Sequence, residues 1–382
     1  MHIGFLTPEY PHPSLGSAAG LATSIKNLAA AFVDRGHQVT VFVCWQEFTR
    51  QFEADGVNIH SIARSSHRLG GFYFNRKEVQ NYINENCKRI DILEAPDWTG
   101  ITAFCNFNIP HVIKLHGSDT YFCHLGNRPV KKKNYLFERW ALNNANGICG
   151  VSDYVGELTA RLFKIKQPIP TCYNVLEIDK FSPATTPSVN VRRYILNFGS
   201  IIRKKGVLEL AQAFNVVHSQ NPDIYLYFLG GDVVDIKTGK STRQLIEELL
   251  EDGAAQMVKF CGKVPYNEVR DYINNASVIC LPSHAEAFPM TWLETMALEK
   301  VLVASNVGWS SEIIEHGNNG FAVDPNDIEK LGLTLLQVLD HPAENDLVAR
   351  NARLTILQKF GVEQLVQSNL DFYQSVIQRY KK

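Results

Sequence analysis

The chain has 382 residues, 45% hydrophobic and 20% charged, with 38 basic side chains against 39 acidic ones and a formal net charge of -1. That length exceeds what one hydrophobic core usually serves, so two domains are expected. The balanced charge excludes a dedicated nucleic-acid binder, which needs a basic excess to neutralise phosphates, and no run approaches the roughly 20 apolar residues of a membrane-spanning helix.

The opening MHIGFLTPEY lacks a basic n-region, and Pro8 and Glu9 interrupt its apolar run, so no secretory leader is predicted. The eight cysteines form no CxxC pair, which argues against both a metal ribbon and a disulfide framework. Reduced thiols in a cytosol are the simplest reading.

The first predicted element is a short apolar strand at 2–7, followed by a loop rich in Pro, Gly and Ser. Leu21, Ile25, Leu28, Ala29 and Phe32 then share one face at helical spacing, Gly36 is a helix-stopping glycine, and 38–43 is the next strand. This strand–loop–helix–strand unit is the building block of a parallel sheet. Further strands are predicted at 92–93, 111–115 and 147–151. Residues 181–190, FSPATTPSVN, have the texture of a linker, after which the alternation restarts. Strands are expected at 193–198, 224–229, 257–260, 277–281 and 301–304, with a helix from Gly206 onward. The expected organisation is a first Rossmann-like domain over 1–182, a second over 191–361, and a helix over 362–382 packing across their junction. Residues 45–80 and 120–135 show no motif.

Four stretches carry chemistry. In PSHAEAFPMTWLETMALEKVLVAS, Glu286 falls on a loop after a strand and Glu294 early in the next helix. A carboxylate there can bind a diol such as ribose beside a phosphate held by the helix N-terminus. Thr291 and Glu294 equally fit a capping box. In NFGSIIRKKG, a loop ending at Lys205-Gly206 and opening a helix suits a diphosphate. The alternative is a solvated basic loop. The loop from Gly16 to Gly20 lacks the G-x-G-x-x-G of a nicotinamide site. In KLHGSD, His116 at a strand end can hydrogen-bond a sugar hydroxyl or stabilise developing charge, although a His-Gly pair is also an ordinary turn. Asp119 could simply cap the following helix.

These residues resemble glycosyltransferase family 4, a retaining family of the GT-B fold. Its pattern E-x-F-x-x-x-x-L-E-x-M-A is matched by Glu286, Phe288, Leu293, Glu294, Met296 and Ala297. Lys205 matches the lysine of the G-R-x-x-x-x-K-G element, whereas Ser200 stands where that element has an arginine, a charge that Arg203 or Lys204 is proposed to replace. His116 matches H-G-x-D, and of the paired glycine near the amino terminus only Gly20 remains, after Ala19. Pro289 also departs from a common glycine. Weaker matches run along nearly the whole chain: Val151-Ser152, Asn174, Gly230-Gly231-Asp232, 262–264 and 308–314. Ser152 reads as a helix N-cap rather than a nucleophile.

The resemblance implies two Rossmann-like doubly wound domains facing a cleft. It implies hexosyl transfer from a nucleotide-diphosphate sugar with retention, requiring neither metal nor cofactor. Glu294 would hold the ribose, Glu286 and His116 the transferred sugar, and Lys205 the diphosphate. Further donor contacts would come from Gly20, Arg203, Val264 and the Phe288-Pro289-Met290 turn. The acceptor is expected to be a glycan or lipid-linked molecule in surface polysaccharide or glycolipid synthesis, handled in the cytoplasm or peripherally on the membrane face. The alternatives are a non-catalytic sugar-nucleotide binder, an epimerase or a phosphorylase. The run Lys131 to Lys133, near Arg128, suits an anionic lipid surface, a phosphorylated acceptor or a solvated face.

Overall fold

The structure is a computed structural model that describes residues 1–16, 20–67, 69–183 and 193–381. The chain divides into two compact units, Met1–Leu176 with Gly361–Lys382, and Glu177–Phe360, beside the sequence expectation of breaks at 182, 191 and 361. Most of the expected linker, 184–190, lies outside the described residues.

Unit 1 opens with β1 (His2–Thr7), α1 (Gly20–Val33), β2 (Gln38–Gln46), β3 (Arg50–Ala54), β4 (Val57–Ala63) and α2 (Gly71–Asn86). It continues with β5 (Ile92–Pro96), β6 (His111–Leu115), α3 (Asp119–Leu125), α4 (Lys132–Asn144), β7 (Gly147–Gly150) and α5 (Asp153–Phe163). Its seven-stranded sheet has the order β3-β4-β2-β1-β5-β6-β7. All pairings are parallel except β3 with β4, an antiparallel edge hairpin within the stretch where the sequence shows no motif. α1 turns Ile25, Leu28, Ala29 and Phe32 into the core, as their spacing predicts, and Gly36 stops the chain at φ 75°.

Unit 2 contains β8 (Tyr194–Phe198), α6 (Val207–Gln220), β9 (Tyr225–Leu229), α7 (Thr242–Glu247), α8 (Asp252–Ala255), β10 (Val258–Gly262) and α9 (Tyr266–Asn275). It ends with β11 (Val278–Leu281), α10 (Met290–Ala297), β12 (Leu302–Ser305), β13 (Phe321–Val323), α11 (Ile328–Asp340) and α12 (Pro342–Lys359). Its six strands are ordered β10-β9-β8-β11-β12-β13 and all pairs are parallel. The strand order reverses direction between β8 and β11, and in open α/β sheets ligands bind beyond the carboxyl ends of the strands at such a reversal. The strands are nearly continuous apolar runs because helices cover both faces.

α13 (Val362–Tyr380) returns to unit 1. It is pinned there by buried polar contacts as well as apolar ones. Lys114 Nζ on β6 donates to Asn369 Oδ1 at 2.8 Å, and Tyr373 Oη donates to Glu94 Oε2 on β5 at 2.5 Å. A buried charge left unpaired is costly, so these contacts specify where the helix seats.

Candidate functional site

The loop after β8 is met by two close backbone approaches, one from the loop after β11 across the reversal in unit 2 and one from the loop after β9. Gly206 has φ 69°, and a Cβ there would lie 1.9 Å from the Pro282 carbonyl oxygen. Only glycine lets the start of α6 abut the loop after β11 in this way. His284 N–H then donates to the Lys204 carbonyl at 2.8 Å. The second approach is at Gly230, φ 152°, where a Cβ would lie 1.8 Å from the Gly199 oxygen. This is the physical content of the Gly230-Gly231 turn: it brings the loops after β8 and β9 into direct contact. Lys263 lies across the same turn, its Cε 2.4 Å from where a Gly231 Cβ would stand.

Within this frame Lys205 and Glu286 form an ion pair, with side chains 20% and 12% exposed. The two residues lie on different loops, and the fold brings them together at the ends of the strands flanking the reversal. Glu294 lies on α10, buried, its Oε1 accepting a 2.7 Å hydrogen bond from the Tyr266 hydroxyl on α9. Burial pushes its carboxyl up to about 7, opposed by the Tyr266 hydrogen bond and by the nearby Lys205 charge. The capping-box alternative fails: α10 has Pro289 at its N-cap and no side-chain capping bond. Among the described residues no side chain caps α6 either, so both helix starts near the ion pair present backbone N–H groups suited to an anion.

Arg203, expected to meet the donor phosphates, is engaged by a carboxylate of unit 2. Its Nε and one terminal nitrogen hold both oxygens of Asp235, at 2.8 and 2.9 Å. The guanidinium keeps the Asp235 carboxyl down at about 2. Arg203 therefore braces the loop after β9, and the charge absent at Ser200 is not restored by a free Arg203 fork. Phe288 is also turned inward, 6% exposed with its ring 5.6 Å from Phe360, so its side chain serves packing. Pro289 is buried and Met290 half-buried at the start of α10, and Val264 is half-buried between β10 and α9.

In unit 1, His116 follows β6, and its backbone N–H donates to Asp97 Oδ1 at 2.9 Å. Gly117, φ 90°, turns the chain away. Burial and the neighbouring Lys114 charge bring the His116 imidazole down to about 3. It is therefore neutral at neutral pH, and its ring can donate or accept hydrogen bonds without carrying a charge. Asp97, fully buried, is pushed up to about 7 by desolvation. Ser118, not Asp119, caps α3 by accepting from Tyr121 N–H; Asp119 Oδ2 instead accepts from Asn134 at 2.9 Å. Ser152 caps α5, as expected. Gly20 is the first residue of α1, with open space around its α-carbon, and Ala19 lies outside the described residues. The N–H of Ala22, in the first turn of α1, is donated to the Glu9 carboxylate at 3.2 Å, a partner not anticipated for this helix start.

Sequence reasoning did not single out Tyr266, Asp97, Asp235, Lys263 or Glu9. Nothing in their spacing marks them, because each acts through a partner distant in the chain.

Residues 18–180 match the model of Glycosyltransferase Family 4 and residues 180–355 that of Glycosyl transferases group 1. An uncharacterised glycosyltransferase of Methanocaldococcus jannaschii is 23% identical over 98% of this chain and 98% of its own length. A glycogen synthase of Mycobacterium tuberculosis is 22% identical over 98% of this chain and 94% of its own. Among solved structures, sucrose-phosphate synthase of Thermosynechococcus elongatus superposes with a TM-score of 0.82 at 18% identity, covering 99% of each chain. The Anabaena protein HepE, in complex with UDP-glucose, gives a TM-score of 0.74 at 20% identity, covering 98% of this chain and 100% of its own. The two doubly wound units are thus those of the GT-B fold, and the chain belongs to the group 1 glycosyltransferases of family 4.

Proposed function

We propose that the chain transfers a hexosyl group from a nucleoside-diphosphate sugar to a glycan or lipid-linked acceptor, with retention and without a required metal. The observation that carries this reading is the Lys205–Glu286 ion pair, set beside buried Glu294 and two uncapped helix starts at the strand-order reversal of unit 2. Lys205 and the backbone amides of α6 and α10 neutralise the departing diphosphate, the service a metal ion performs elsewhere. Glu286, held by Lys205, accepts from hydroxyls of the donor sugar. Glu294 accepts from the ribose diol. His116 contributes a neutral hydrogen-bonding imidazole to the transferred sugar, an assignment supported by the His-Gly-x-Asp resemblance and its place after β6.

In the transfer step the bond from the anomeric carbon to the diphosphate oxygen breaks with oxocarbenium character. The acceptor oxygen bonds to the same face, and its proton passes to the leaving phosphate oxygen. No side-chain nucleophile is required. Surface polysaccharide or glycolipid synthesis at the cytoplasmic side is the proposed setting. A uridine donor is the first to test, because HepE is seen with UDP-glucose.

The test offers the purified chain UDP-, GDP- and ADP-sugars in the presence of EDTA, with and without acceptors, and quantifies nucleoside diphosphate. Release from one donor supports the proposal. Saturable binding with no release from any donor would assign a sugar-nucleotide-binding role instead, and Arg203's engagement with Asp235 favours that second reading.

A further inference from the structure

The first turn of α2 and the outer side of α4 carry aromatic rings that unit 1 leaves uncovered. Phe72, Tyr73 and Phe74 are 44%, 39% and 47% exposed, and Trp140 is 49% exposed. They form one continuous cluster. The Phe72 ring lies 5.2 Å from Phe137, while Phe104 lies 5.1 Å from Phe137, 4.9 Å from Trp140 and 5.5 Å from Tyr73. Phe104, at the centre, holds φ 67°, a left-handed backbone that a bulky L residue rarely adopts.

The cluster is braced from below. Arg76, buried, donates to the carbonyls of Phe72, Thr99 and Gly100 at 2.9, 2.9 and 3.0 Å. Gly100, φ 59°, lets the loop after β5 touch the α4 backbone, since a Cβ there would lie 2.3 Å from the Phe137 carbonyl. The rings are therefore held outward on a rigid base.

Cations surround them. Lys133 Nζ lies 4.4 Å from the centre of the Phe72 ring, and Lys77 Nζ lies 6.0 Å from that of Tyr73. Residues 128–144 hold five basic side chains and one acidic one, Glu138. Glu138 is buried and turned toward the backbone of Asp119 and Thr120. The exposed charge of this stretch is thus wholly positive.

We propose that this face of unit 1 docks on an anionic phospholipid bilayer. The rings of Phe72, Phe74 and Trp140 enter the headgroup–acyl boundary, and Lys131, Lys132 and Lys133 meet the phosphates. Half-exposed aromatic rings flanked by lysine match the two layers of that interface. A dissolved phosphorylated ligand would use the lysines and leave the rings in water, and an apolar partner would leave the lysines unmatched. Docking would bring unit 1 to acceptors anchored in the same membrane, and it stands independently of the donor chemistry proposed above.

The test is co-sedimentation of the full chain with vesicles of phosphatidylcholine alone and of phosphatidylcholine with an equal part of phosphatidylglycerol. The expected result is binding to the mixed vesicles, weak partition to the neutral ones, and release by salt. Lys132→Glu with Lys133→Glu lowers partition at least about thirtyfold. Phe72→Ser with Trp140→Ser lowers it at least about tenfold although every lysine remains. Circular dichroism and donor hydrolysis unchanged in both variants show that the fold is intact. Equal partition to both vesicle types, absence of sedimentation, or variants that bind like the parent overturn the proposal. So does a concentration-dependent dimer, abolished by Trp140→Ser, in a protein that ignores vesicles, which would assign the face to a second copy of the chain.

Discussion

The Tyr266 hydroxyl donates to Glu294 Oε1 at 2.7 Å, and with the nearby Lys205 charge it opposes the burial that brings this carboxyl to about 7. The hydrogen bond favours the charged form while burial opposes it. In Tyr266→Phe the carboxyl moves above about 7, its value with the bond intact. Donor affinity, measured by calorimetry across pH, then recovers only at higher pH than in the parent. Glu294→Gln weakens donor binding about tenfold and flattens that profile. A Tyr266→Phe profile superimposable on the parent's would remove Glu294 from ribose binding.

The same carboxyl makes unit 2 sensitive to pH before any donor is added. Its folded value of about 7 lies above the ordinary 4.5, so the folded state holds the proton more tightly than the unfolded one. That contribution is full below the ordinary value and is lost as pH rises through about 7, by about 3 kcal/mol. Urea midpoints of Glu294→Gln, compared with the parent on both sides of that window, should differ in slope. Identical pH dependence would show that Glu294 is ionised at little cost.

Lys205→Ala removes the charge facing Glu286 and the proposed diphosphate. Turnover of the donor should fall by about 10²–10³, chiefly in kcat, because the interaction strengthens as the leaving group gains charge. Unchanged steady-state kinetics would sink the assignment. Arg203→Ala makes the opposite prediction: little effect on the Michaelis constant for donor, and a loss of about 1 kcal/mol of stability, because Asp235 keeps its two hydrogen bonds from Thr238.

Gly206→Ala tests the close approach beneath the site. Its Cβ would fall 1.9 Å from the Pro282 oxygen, at φ 69°. The left-handed backbone alone costs roughly 1–2 kcal/mol, and the backbone clash adds to it. Denaturant unfolding should show that loss, and donor affinity should fall with it as the two loops separate. A variant as stable as the parent would mean the loops part without cost.

His116 should show no titration in its ring carbon-bound proton resonance across neutral pH, because burial and Lys114 hold it at about 3. Below the ordinary histidine value the unfolded state takes up a proton that the folded state refuses, so this residue's contribution to stability declines as pH falls from about 6.5 toward 3. A midpoint near the ordinary value would show an imidazole that is charged at mildly acidic pH.

Most of the strands and the first helix of each unit were legible in the chain, because apolar runs and helical spacing are local properties. The loops bearing Glu286, Lys205 and His116 and the helix start bearing Glu294 were legible as well, since their strand-end and helix-start positions mark them. The β3–β4 hairpin was not: β3 is exposed or half-buried throughout, and although β4 buries Val57, Ile59, Ser61 and Ile62, its apolar run is interrupted by Asn58, His60 and Ser61. The partner of Arg203 was not legible for a related reason. A guanidinium beside a glycine-ended loop looks like a phosphate ligand until Asp235, on the loop after the next strand, is brought within 2.8 Å.

Residue type and local spacing were enough to name the family and to place the loops at strand ends and helix starts, because glycine turns, strand ends and helix starts follow from neighbours in the chain. Partnership was another matter. Lys205 with Glu286, Tyr266 with Glu294, Arg203 with Asp235 and Asp97 with the His116 amide each join different βα units. Charge state, burial and hydrogen-bond partner depend on which strand ends lie side by side, and that follows from strand order and packing rather than from distance along the chain.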